Sequence, residues 1–324
     1  MKLCILGDTH FGMRGDSLEF HRYYEKFYDE VFFPYLIENK IDTVFQLGDL
    51  FDRRKFINFN SLFLARKYFF DKLKENNITL HTLLGNHDVA FKNTLEVNST
   101  GLLLRDYENI IMYDEFAQVS FDGVEIDGFE MDRGNVCHGG IDRQTLNKYD
   151  MVLTGHFHHK SDDGHIFYVG TPGEITWSDY KDERGFHIFD TETREMEFIR
   201  NPYRMFHKLS YDDTEHDFEY WKAFDYSQFT DAYVKVVVLN KQNPYLFDNV
   251  VDNIYKSGVC DISIVEDFTE IGLEDDQELV DQAEDTMTIL SKYIDNLTLN
   301  VEAEKLKTLM RELYVEAVNT ETTE

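Results

Sequence analysis

Potential metal ligands recur in this sequence directly after short apolar runs. The run LCIL is followed by GDTH, which places Asp8 and His10 two residues apart behind a predicted strand. One such pair indicates little, because aspartate and histidine are ordinary turn residues. The pattern returns at Asp49 after VFQL, at Asn86 after HTLL and at His156 after MVLT. The chemistry therefore depends on whether these four strand ends meet.

The residue types in the four turns are those that bind divalent metal ions. Each turn opens with a glycine, which lets the backbone bend sharply and approach a bound group. The carboxyl ends of parallel strands share one edge of an open α/β sheet, where ligands bind. Carboxylate, amide and imidazole donors without thiolates suit Mn²⁺, Fe²⁺ or Zn²⁺. The candidate ligands are too many for one ion and predict two metals that share a carboxylate: Asp8, His10, Asp49, Asn86, His156 and His158.

His87 and Asp88 come directly after Asn86 and are the predicted catalytic residues. If Asn86 binds a metal, His87 lies beside the substrate, where it can protonate a leaving alkoxide. Asp88 could orient His87, or it could cap a helix. Two metals roughly 3.5–4 Å apart can hold a phosphate, generate a hydroxide and stabilise the leaving oxygen. The sequence therefore predicts hydrolysis of a phosphate ester.

The elements that must position these residues alternate between strand and helix in the first half of the chain. Strands are predicted over residues 3–6, 41–47 and 78–84. Asp16 with Glu19 predicts a capping box. The helix behind it has apolar residues at helical spacing, namely Phe20, Tyr24, Phe27, Val31 and Tyr35. A second helix is predicted over about residues 61–76. This alternation is typical of parallel βαβ units.

Beyond about residue 110 the sequence is rich in strands. Asp122-Gly123 predicts a hairpin between AQVSF and VEID. Further strands are predicted over residues 151–154, 166–169, 186–190 and 195–199. A sheet that starts parallel and continues antiparallel fits an α/β fold with two sheets, an α/β sandwich. The predicted domains are a catalytic domain over 1–202, a small β-α-β domain over 203–265, an acidic linker over 266–285 and a C-terminal helical segment over 286–324.

The charge of the chain conflicts with free nucleic-acid binding. There are 62 acidic and 32 basic residues among 324, a net charge of −30, whereas DNA-binding proteins usually carry a basic surface. DNA remains a substrate only if metals, local basic patches or a partner subunit supply positive charge. The three cysteines are far apart, and neither a signal peptide nor an apolar run near the roughly 18 residues of a membrane span is evident. These features predict a cytoplasmic protein.

GDTH, GDLFD, GNHD and GHFH, in this order, resemble the motifs of the calcineurin-like metallophosphoesterases. GDLFDRRK, ITLHTLLGNHD, TGHFH, VGTP and RGFHIFDTETREMEFI resemble SbcD-type DNA repair nucleases, most closely the bacteriophage recombination endonuclease subunits. This resemblance is good over residues 1–200 and is one of layout beyond them. It implies Mn²⁺-dependent phosphodiester hydrolysis on double-stranded DNA ends, with two metal ions. It also implies a capping domain, a homodimer, C-terminal helices that dock on an SbcC-type SMC-like ATPase, and the host cytoplasm if a phage encodes the chain.

The resemblance also implies a role for each site residue. Asp8, His10 and His158 would bind the first metal, Asn86 and His156 the second, and Asp49 would bridge them. His87 would be the catalytic acid and would stabilise the transition state. The family expects one further histidine ligand between GNHD and GHFH. His138 is the one histidine of that interval, in the loop-like context CHGG, and without this ligand the second metal would bind weakly.

Three questions stay open at the level of sequence. Arg53, Arg54 and Lys55 are predicted to contact the DNA backbone, and the alternative is ion pairing with an acidic surface. Residues 23–33 are a candidate dimer surface or part of the core. The nuclease has two alternatives, which are a structural subunit with weakened chemistry and a phosphatase or phosphodiesterase that acts on a substrate other than DNA.

Overall fold

A computed structural model of the chain describes residues 1–91, 94–113, 117–128 and 146–266. His138, the acidic linker beyond residue 266 and the C-terminal segment 286–324 lie outside these ranges. Most of the shortened stretch before GHFH lies outside them as well. The predictions made for these parts of the chain stay predictions.

The described residues form sixteen strands, seven regular α-helices and one short helical turn, Met13–Asp16, in which Arg14 and Gly15 have left-handed backbone angles. The strands in chain order are β1 (Lys2–Leu6), β2 (Thr43–Gln46), β3 (Thr79–Leu83), β4 (Val89–Phe91), β5 (Thr94–Asn98), β6 (Ile110–Tyr113), β7 (Ala117–Phe121), β8 (Val124–Gly128), β9 (Val152–Thr154), β10 (Ser161–Asp162), β11 (Ile166–Tyr168), β12 (Gly185–Asp190), β13 (Met196–Arg200), β14 (Phe206–Asp212), β15 (Tyr233–Asn240) and β16 (Asp261–Val265). The helices are α1 (Leu18–Phe27), α2 (Phe33–Glu38), α3 (Phe59–Ala65), α4 (Asp71–Glu75), α5 (Ser99–Leu103), α6 (Phe218–Ala223) and α7 (Pro244–Lys256). Within these ranges no helix has the length and apolar character needed to cross a bilayer.

The main sheet has six strands in the order β13-β12-β1-β2-β3-β6. Its first four strands along the chain, β1, β2, β3 and β6, pair in parallel. Strand β12 pairs antiparallel with β1, and β13 pairs antiparallel with β12. The predicted change from parallel to antiparallel strands is therefore confirmed. The predicted hairpin is also confirmed, since β7 and β8 pair across Asp122-Gly123.

Apolar residues cover both faces of the main sheet, as alternation along β1 shows. Cys4 and Leu6 point into an aromatic core formed with the helices. Leu3 and Ile5 point to the other face and pack with residues of the β7-β8 hairpin and of β9. Strand β9 belongs to a separate three-stranded sheet of order β10-β11-β9. The predicted α/β sandwich is thus confirmed, with a second layer made of two small sheets.

Both helices that cover the main sheet contain a π-helical segment. Residues Tyr28–Phe32 separate α1 from α2, and Arg66–Phe70 separate α3 from α4. A π turn holds one residue more than an α turn, so the buried stripe beyond it shifts by one position. Val31 and Tyr35 were predicted on the stripe and are only half-buried, whereas the buried residues are Phe32, Phe33 and Leu36.

The predicted capping box of α1 is wrong by one residue. Ser17 is the N-cap, and its Oγ accepts a hydrogen bond from the N–H of Phe20 at 3.4 Å. The Ser17 hydroxyl donates in turn to Glu19 at 2.6 Å. Asp16 has φ +63° and lies before the helix, where it accepts from Ser61 and pairs with Arg53. Two adjacent cap-forming residues compete here, and the tertiary contacts of Asp16 decide which one caps.

A second sheet of parallel strands follows the sandwich, in the order β14-β15-β16. Helices α6 and α7 supply its apolar core together with the strands, through Tyr211, Trp221, Val236, Phe247 and Val250. The strand β14 was not predicted. The buried Glu174 fixes its start to the sandwich, because the carboxylate accepts from the N–H groups of Met205 at 2.7 Å and Phe206 at 3.0 Å.

Candidate metal centre

The loops behind β1 and β2 are joined by backbone hydrogen bonds. The N–H groups of Thr9 and His10 donate to the carbonyl of Asp49 at 3.1 and 3.0 Å. The loop behind β9 joins them, since the N–H of His156 donates to both carboxylate oxygens of Asp8 at 3.1 and 3.0 Å. Three of the four strand ends therefore belong to the main sheet. The fourth comes from the facing small sheet, which the sequence did not predict.

Two of the four strand-end glycines show why no side chain fits there. A Cβ atom on Gly155 would lie 2.4 Å from Oδ1 of Asp8. Gly48 has φ +97°, in the left-handed region that glycine adopts without strain. The glycines allow the sharp turns and close approaches that the sequence predicted.

Three candidate ligands have left-handed backbone conformations without being glycine. The φ angles are +45° for His10, +53° for Asp49 and +72° for His156. Aspartate and histidine adopt this region more readily than most residues, but it still costs energy. Such strain concentrates at sites where function fixes the direction of a side chain.

Asp8, His10 and His158 form one close group whose ligand atoms all lie within 4.8 Å of one another. The Nε2 atoms of His10 and His158 are 3.2 Å apart, and Nε2 of His10 lies 4.0 Å from Asp8 Oδ2. Within the described residues, the buried Nδ1 atoms of both histidines lack a hydrogen-bond partner. Two imidazole nitrogens and a carboxylate that converge in this way fit a divalent cation.

Electrostatics favours a cation at this group. Burial lowers the pKa of His158 to about 4 and lowers the pKa of His10 well below its ordinary value. Both imidazoles are therefore neutral near pH 7 and offer lone pairs. Burial, followed by the charge of Asp49, raises the pKa of Asp8 well above its usual range. An ionised Asp8 needs a positive charge beside it, which a metal would supply.

Asp49 and Asn86 lie side by side at the second part of the centre. With its nitrogen turned towards the carboxylate, the Asn86 amide donates to Asp49 Oδ2 at 3.1 Å and accepts from Arg54 at 3.1 Å. With the amide reversed, two oxygens face each other across the same gap, as two ligands of one cation do. His156 is exposed, and its imidazole does not join a close group of ligand atoms within the described residues.

His87 lies against the first group of ligands. Its ring centroid is 4.9 Å from that of His10. The backbone N–H of His87 donates to Asp49 Oδ1 at 2.6 Å. The ring Nδ1 contacts the carbonyl of Asp52, which fixes the orientation of the imidazole. Asp52 also forms a second close group with His10 and His87. Asp52 was not among the predicted site residues, although it is the second aspartate of the motif GDLFD.

The structure gives Asp88 a different position from the two that were predicted. Its buried carboxylate accepts from the backbone N–H groups of Gly85 at 2.9 Å and of Leu50 and Phe51 at 3.2 Å. It therefore neither contacts the ring of His87 nor caps a helix. Burial raises the pKa of Asp88 to about 7, and the charge of Asp49 adds to this. Asp88 joins the loop behind β3 to the loop behind β2.

The three predicted DNA-binding residues have different surroundings. Arg53 pairs with Asp16 at 3.2 Å and lies over the ring of Phe56. For Arg53, this contact matches the predicted alternative to DNA binding, which was ion pairing with an acidic surface. Arg54 reaches Asn86, and Lys55 is exposed. Of the three, Arg54 lies nearest the candidate ligands.

The chain is similar to a known family and to a phage protein that aligns with nearly its whole length. Residues 1–227 match the calcineurin-like phosphoesterase family. The chain is 30% identical to Exonuclease subunit 1 of Enterobacteria phage T4, over 98% of its own length and 99% of that protein. A solved archaeal phosphodiesterase is 19% identical, with a TM-score of 0.38 over 62% of this chain and 99% of the other. GAP50 of the Plasmodium inner membrane complex is 10% identical, with a TM-score of 0.32 over 63% and 90%.

Proposed function

Because the chain belongs to the calcineurin-like phosphoesterase family, we propose that it hydrolyses phosphodiester bonds of DNA ends with two divalent metal ions, most suitably Mn²⁺. The observation that carries this proposal is the convergence of Asp8, His10 and His158 behind β1 and β9, beside Asp49 and Asn86. The relative that aligns with nearly the whole chain is named an exonuclease subunit, which supports DNA as the substrate.

The residues present fit two ions. Asp8, His10 and His158 would hold one, Asn86 and His156 the other, and Asp49 would lie between them. A rotation of the exposed His156 side chain is needed to complete the second set. Bound divalent ions would activate water and neutralise charge on the phosphate. The chain itself holds Asp8 in place, because the backbone N–H of His156 donates to both of its carboxylate oxygens.

His87 is the proposed proton donor to the leaving oxygen. A carbonyl oxygen can only accept, so Nδ1–H of His87 donates to the Asp52 carbonyl, and the ring can give a proton to the leaving oxygen from Nε2 only when both ring nitrogens are protonated. The carboxylate of Asp49 accepts a hydrogen bond from the backbone N–H of His87 and so fixes the backbone there. The ring therefore keeps its position relative to the ligands while the substrate changes.

Arg54 supplies positive charge for the phosphate in a chain whose net charge is −30. A terminal nitrogen of Arg54 lies 3.1 Å from the amide group of Asn86, which places a guanidinium at the edge of the centre. Guanidinium groups bind phosphate oxygens in pairs, which suits a residue that positions the DNA backbone. Arg53 contributes less in this proposal, because Asp16 already neutralises it.

We also propose that the chain acts in recombination and repair as the nuclease subunit of an SbcCD-like complex. The word subunit in the name of the phage relative supports a partner. The C-terminal segment 286–324 is the proposed docking segment for an SbcC-type ATPase. A truncation after residue 285 should abolish co-purification with that ATPase and leave metal-dependent cleavage by the free chain.

A homodimer within this complex is a further part of the proposal. Residues 23–33 are an unsuitable surface, because Tyr23, Phe27 and Phe32 are buried. Phe59 and Phe63 lie one turn apart on α3 and are 87% and 63% exposed. Large exposed apolar side chains at such spacing favour a protein contact, and we assign it to a second copy of the chain. Exchange of both for serine should turn a dimer into a monomer in analytical ultracentrifugation.

The decisive experiment measures cleavage of end-labelled linear duplex DNA. The purified chain is incubated with Mn²⁺, beside a His87→Ala variant and a reaction that contains Mg²⁺ alone. We expect release of label that needs both Mn²⁺ and His87, with a loss of activity of at least 100-fold in the variant. The variant should still bind Mn²⁺, since His87 is not a ligand.

Two outcomes contradict this proposal. If DNA stays intact even with an SbcC-type partner and ATP, a small phosphodiester such as bis-p-nitrophenyl phosphate separates the remaining functions. Cleavage of the small substrate alone would indicate a phosphodiesterase that acts on other molecules. No cleavage of either substrate would indicate a structural subunit.

A further inference from the structure

A buried arginine lies behind the loop that carries His156 and His158. The guanidinium of Arg184 is enclosed at the start of β12. Its NH1 donates to the carbonyl of His158 and, at 2.8 Å, to the hydroxyl of Thr171. Its NH2 donates at 2.7 Å to Asp179, which is fully buried. The arginine therefore connects a buried carboxylate to the backbone of a candidate ligand.

The partners of Arg184 are themselves fixed. Asp179 accepts from the N–H groups of Ile175 at 2.7 Å and Thr176 at 3.0 Å. The carbonyl of His158 accepts a second hydrogen bond, from the N–H of Thr171 at 3.1 Å. Asp182 adds an ion pair with NH2 at 3.1 Å. Other hydrogen bonds hold both Asp179 and the carbonyl of His158. The guanidinium of Arg184, which joins the two, therefore restricts the position of the backbone at His158.

The backbone at His158 needs this support. His156, two residues earlier, has a left-handed φ of +72°. Strand β9 has only three residues and ends at Thr154, so few sheet hydrogen bonds hold the loop. The imidazole of His158 must nevertheless stay 3.2 Å from that of His10. A second contact on the loop, away from the ligands, meets this requirement.

We propose that Arg184 is a positioning residue of the metal centre, which holds the carbonyl of His158 against the buried Asp179 and so fixes the imidazole beside His10. This inference rests on the proposed metal-dependent function. Among the described residues, Arg184 hydrogen-bonds to the backbone carbonyl of His158 and not to the side chain of a candidate ligand. Its effect should therefore appear in metal binding before it appears in the chemistry of the reaction.

The test compares Mn²⁺ binding by the full chain and three variants after removal of metal with a chelator. Arg184→Gln removes the charge and the bidentate geometry. Arg184→Lys keeps the charge, but the single ammonium group of lysine cannot reach both Asp179 and the carbonyl of His158 as the two terminal nitrogens of arginine do. Arg66→Gln is the matched control, because it breaks an ion pair with Asp106 and a 3.1 Å hydrogen bond to Tyr107 away from the centre. Free Mn²⁺ is measured by electron paramagnetic resonance, and folding by thermal unfolding without metal.

We expect Arg184→Gln to weaken the binding of one Mn²⁺ by about 10- to 100-fold, the usual effect of losing an outer contact of a ligand. Arg184→Lys should lie between it and the unchanged chain, and Arg66→Gln should bind as the unchanged chain does. Folded Arg184 variants that bind Mn²⁺ with unchanged affinity would overturn the inference. Should Arg184→Gln fail to fold, Arg184→Lys decides alone.

The same experiment separates this inference from the proposed function. A chain that binds Mn²⁺ but leaves DNA intact refutes the nuclease activity, and the titration still decides the role of Arg184. A chain that binds no Mn²⁺ overturns both.

Discussion

At the scale of single residues, one carboxylate joins two of the loops that form the centre. Asp88 accepts three backbone N–H groups, from Gly85, Leu50 and Phe51. We expect Asp88→Ala to lower the free energy of unfolding by about 2–3 kcal/mol, because the buried donors lose their acceptor. The measurement is urea unfolding in the presence of a chelator, so that metal binding does not contribute.

The control for Asp88 is Asp106→Ala. Asp106 pairs with Arg66 at the surface, and loss of such a pair costs less than about 1 kcal/mol. An equal loss of unfolding free energy in the two variants would show that the hydrogen bonds of Asp88 stabilise the fold no more than a surface ion pair does.

A second prediction at this scale concerns Gly155. A methyl group there would lie 2.4 Å from Oδ1 of Asp8 and 2.8 Å from the carbonyl of Leu47. Gly155→Ala should therefore displace Asp8 and weaken Mn²⁺ binding at least about tenfold. Isothermal titration calorimetry measures the affinity.

Gly164→Ala is the matched change for Gly155→Ala. Gly164 has φ +85° with no atom within 4 Å of an added Cβ. This variant should lose about 1 kcal/mol of stability through backbone strain and keep its affinity for Mn²⁺. Loss of affinity in both variants would indicate general loosening instead of a local clash.

The local sequence predicts which residues converge at the centre but not what holds them. GDTH, GDLFD, GNHD and GHFH each contain their own turn and ligand, so a short window is sufficient. Asp88 depends on a donor 38 positions away, the N–H of Leu50, and Arg184 depends on an acceptor 26 positions away, the carbonyl of His158. Such pairs carry no local signal. They become visible only when the chain has folded.

At the scale of elements, the strands that end at the centre and the helices that cover them were predictable, whereas the phase of one helix and several short elements such as β4, β5 and α5 were not. Apolar spacing predicted the helix after Ser17, yet the buried stripe moves by one residue at Tyr28–Phe32. A regular period of 3.6 residues cannot anticipate a π turn. Strand β14 was missed because its sequence, FHKLSYD, mixes polar and apolar residues on a strand with one covered face.

The strand β12 yields a prediction about acid stability. Burial, with a further contribution from Lys160, lowers the pKa of His187 to about 4 in the folded chain. The unfolded chain binds this proton near pH 6.5. As the pH falls from 6.5 towards 4, His187 binds a proton in the unfolded state but not in the folded state, so the free energy of unfolding decreases. The loss from this one residue is about 2 kcal/mol at pH 5.

The test replaces His187 by leucine. The free energy of unfolding is measured in urea at pH 7.5 and at pH 5 for both chains. The variant should lose about 2 kcal/mol less than the unchanged chain between these two values, since other histidines contribute equally to both. If both chains lost the same unfolding free energy between pH 7.5 and pH 5, His187 would take up its proton in the folded state as readily as in the unfolded state.

At the scale of the whole molecule, metal ions should stabilise the fold. The chain carries a net charge of −30 and buries Asp8, Asp49 and Asp88 close together. Bound cations relieve this repulsion, and ions that bind only the folded state add stability by mass action. At 100 times the dissociation constant, each Mn²⁺ should add about 3 kcal/mol to the free energy of unfolding.

Differential scanning calorimetry of chelator-treated protein, with and without added Mn²⁺, measures this gain. Asp8→Asn should keep its fold and lose most of the effect of one ion. A melting temperature that does not respond to Mn²⁺ would argue against a metal centre in this chain.

The left-handed conformations of His10, Asp49 and His156 have a consequence for the history of the protein. Each costs about 1 kcal/mol or more in backbone energy that glycine would not cost, so glycine at these positions would relieve strain and remove the candidate ligands. A lineage that no longer needed the chemistry would drift towards glycine there. In relatives of this chain, side chains kept at these three positions would therefore mark members that still use the centre, and glycine there would mark members that do not.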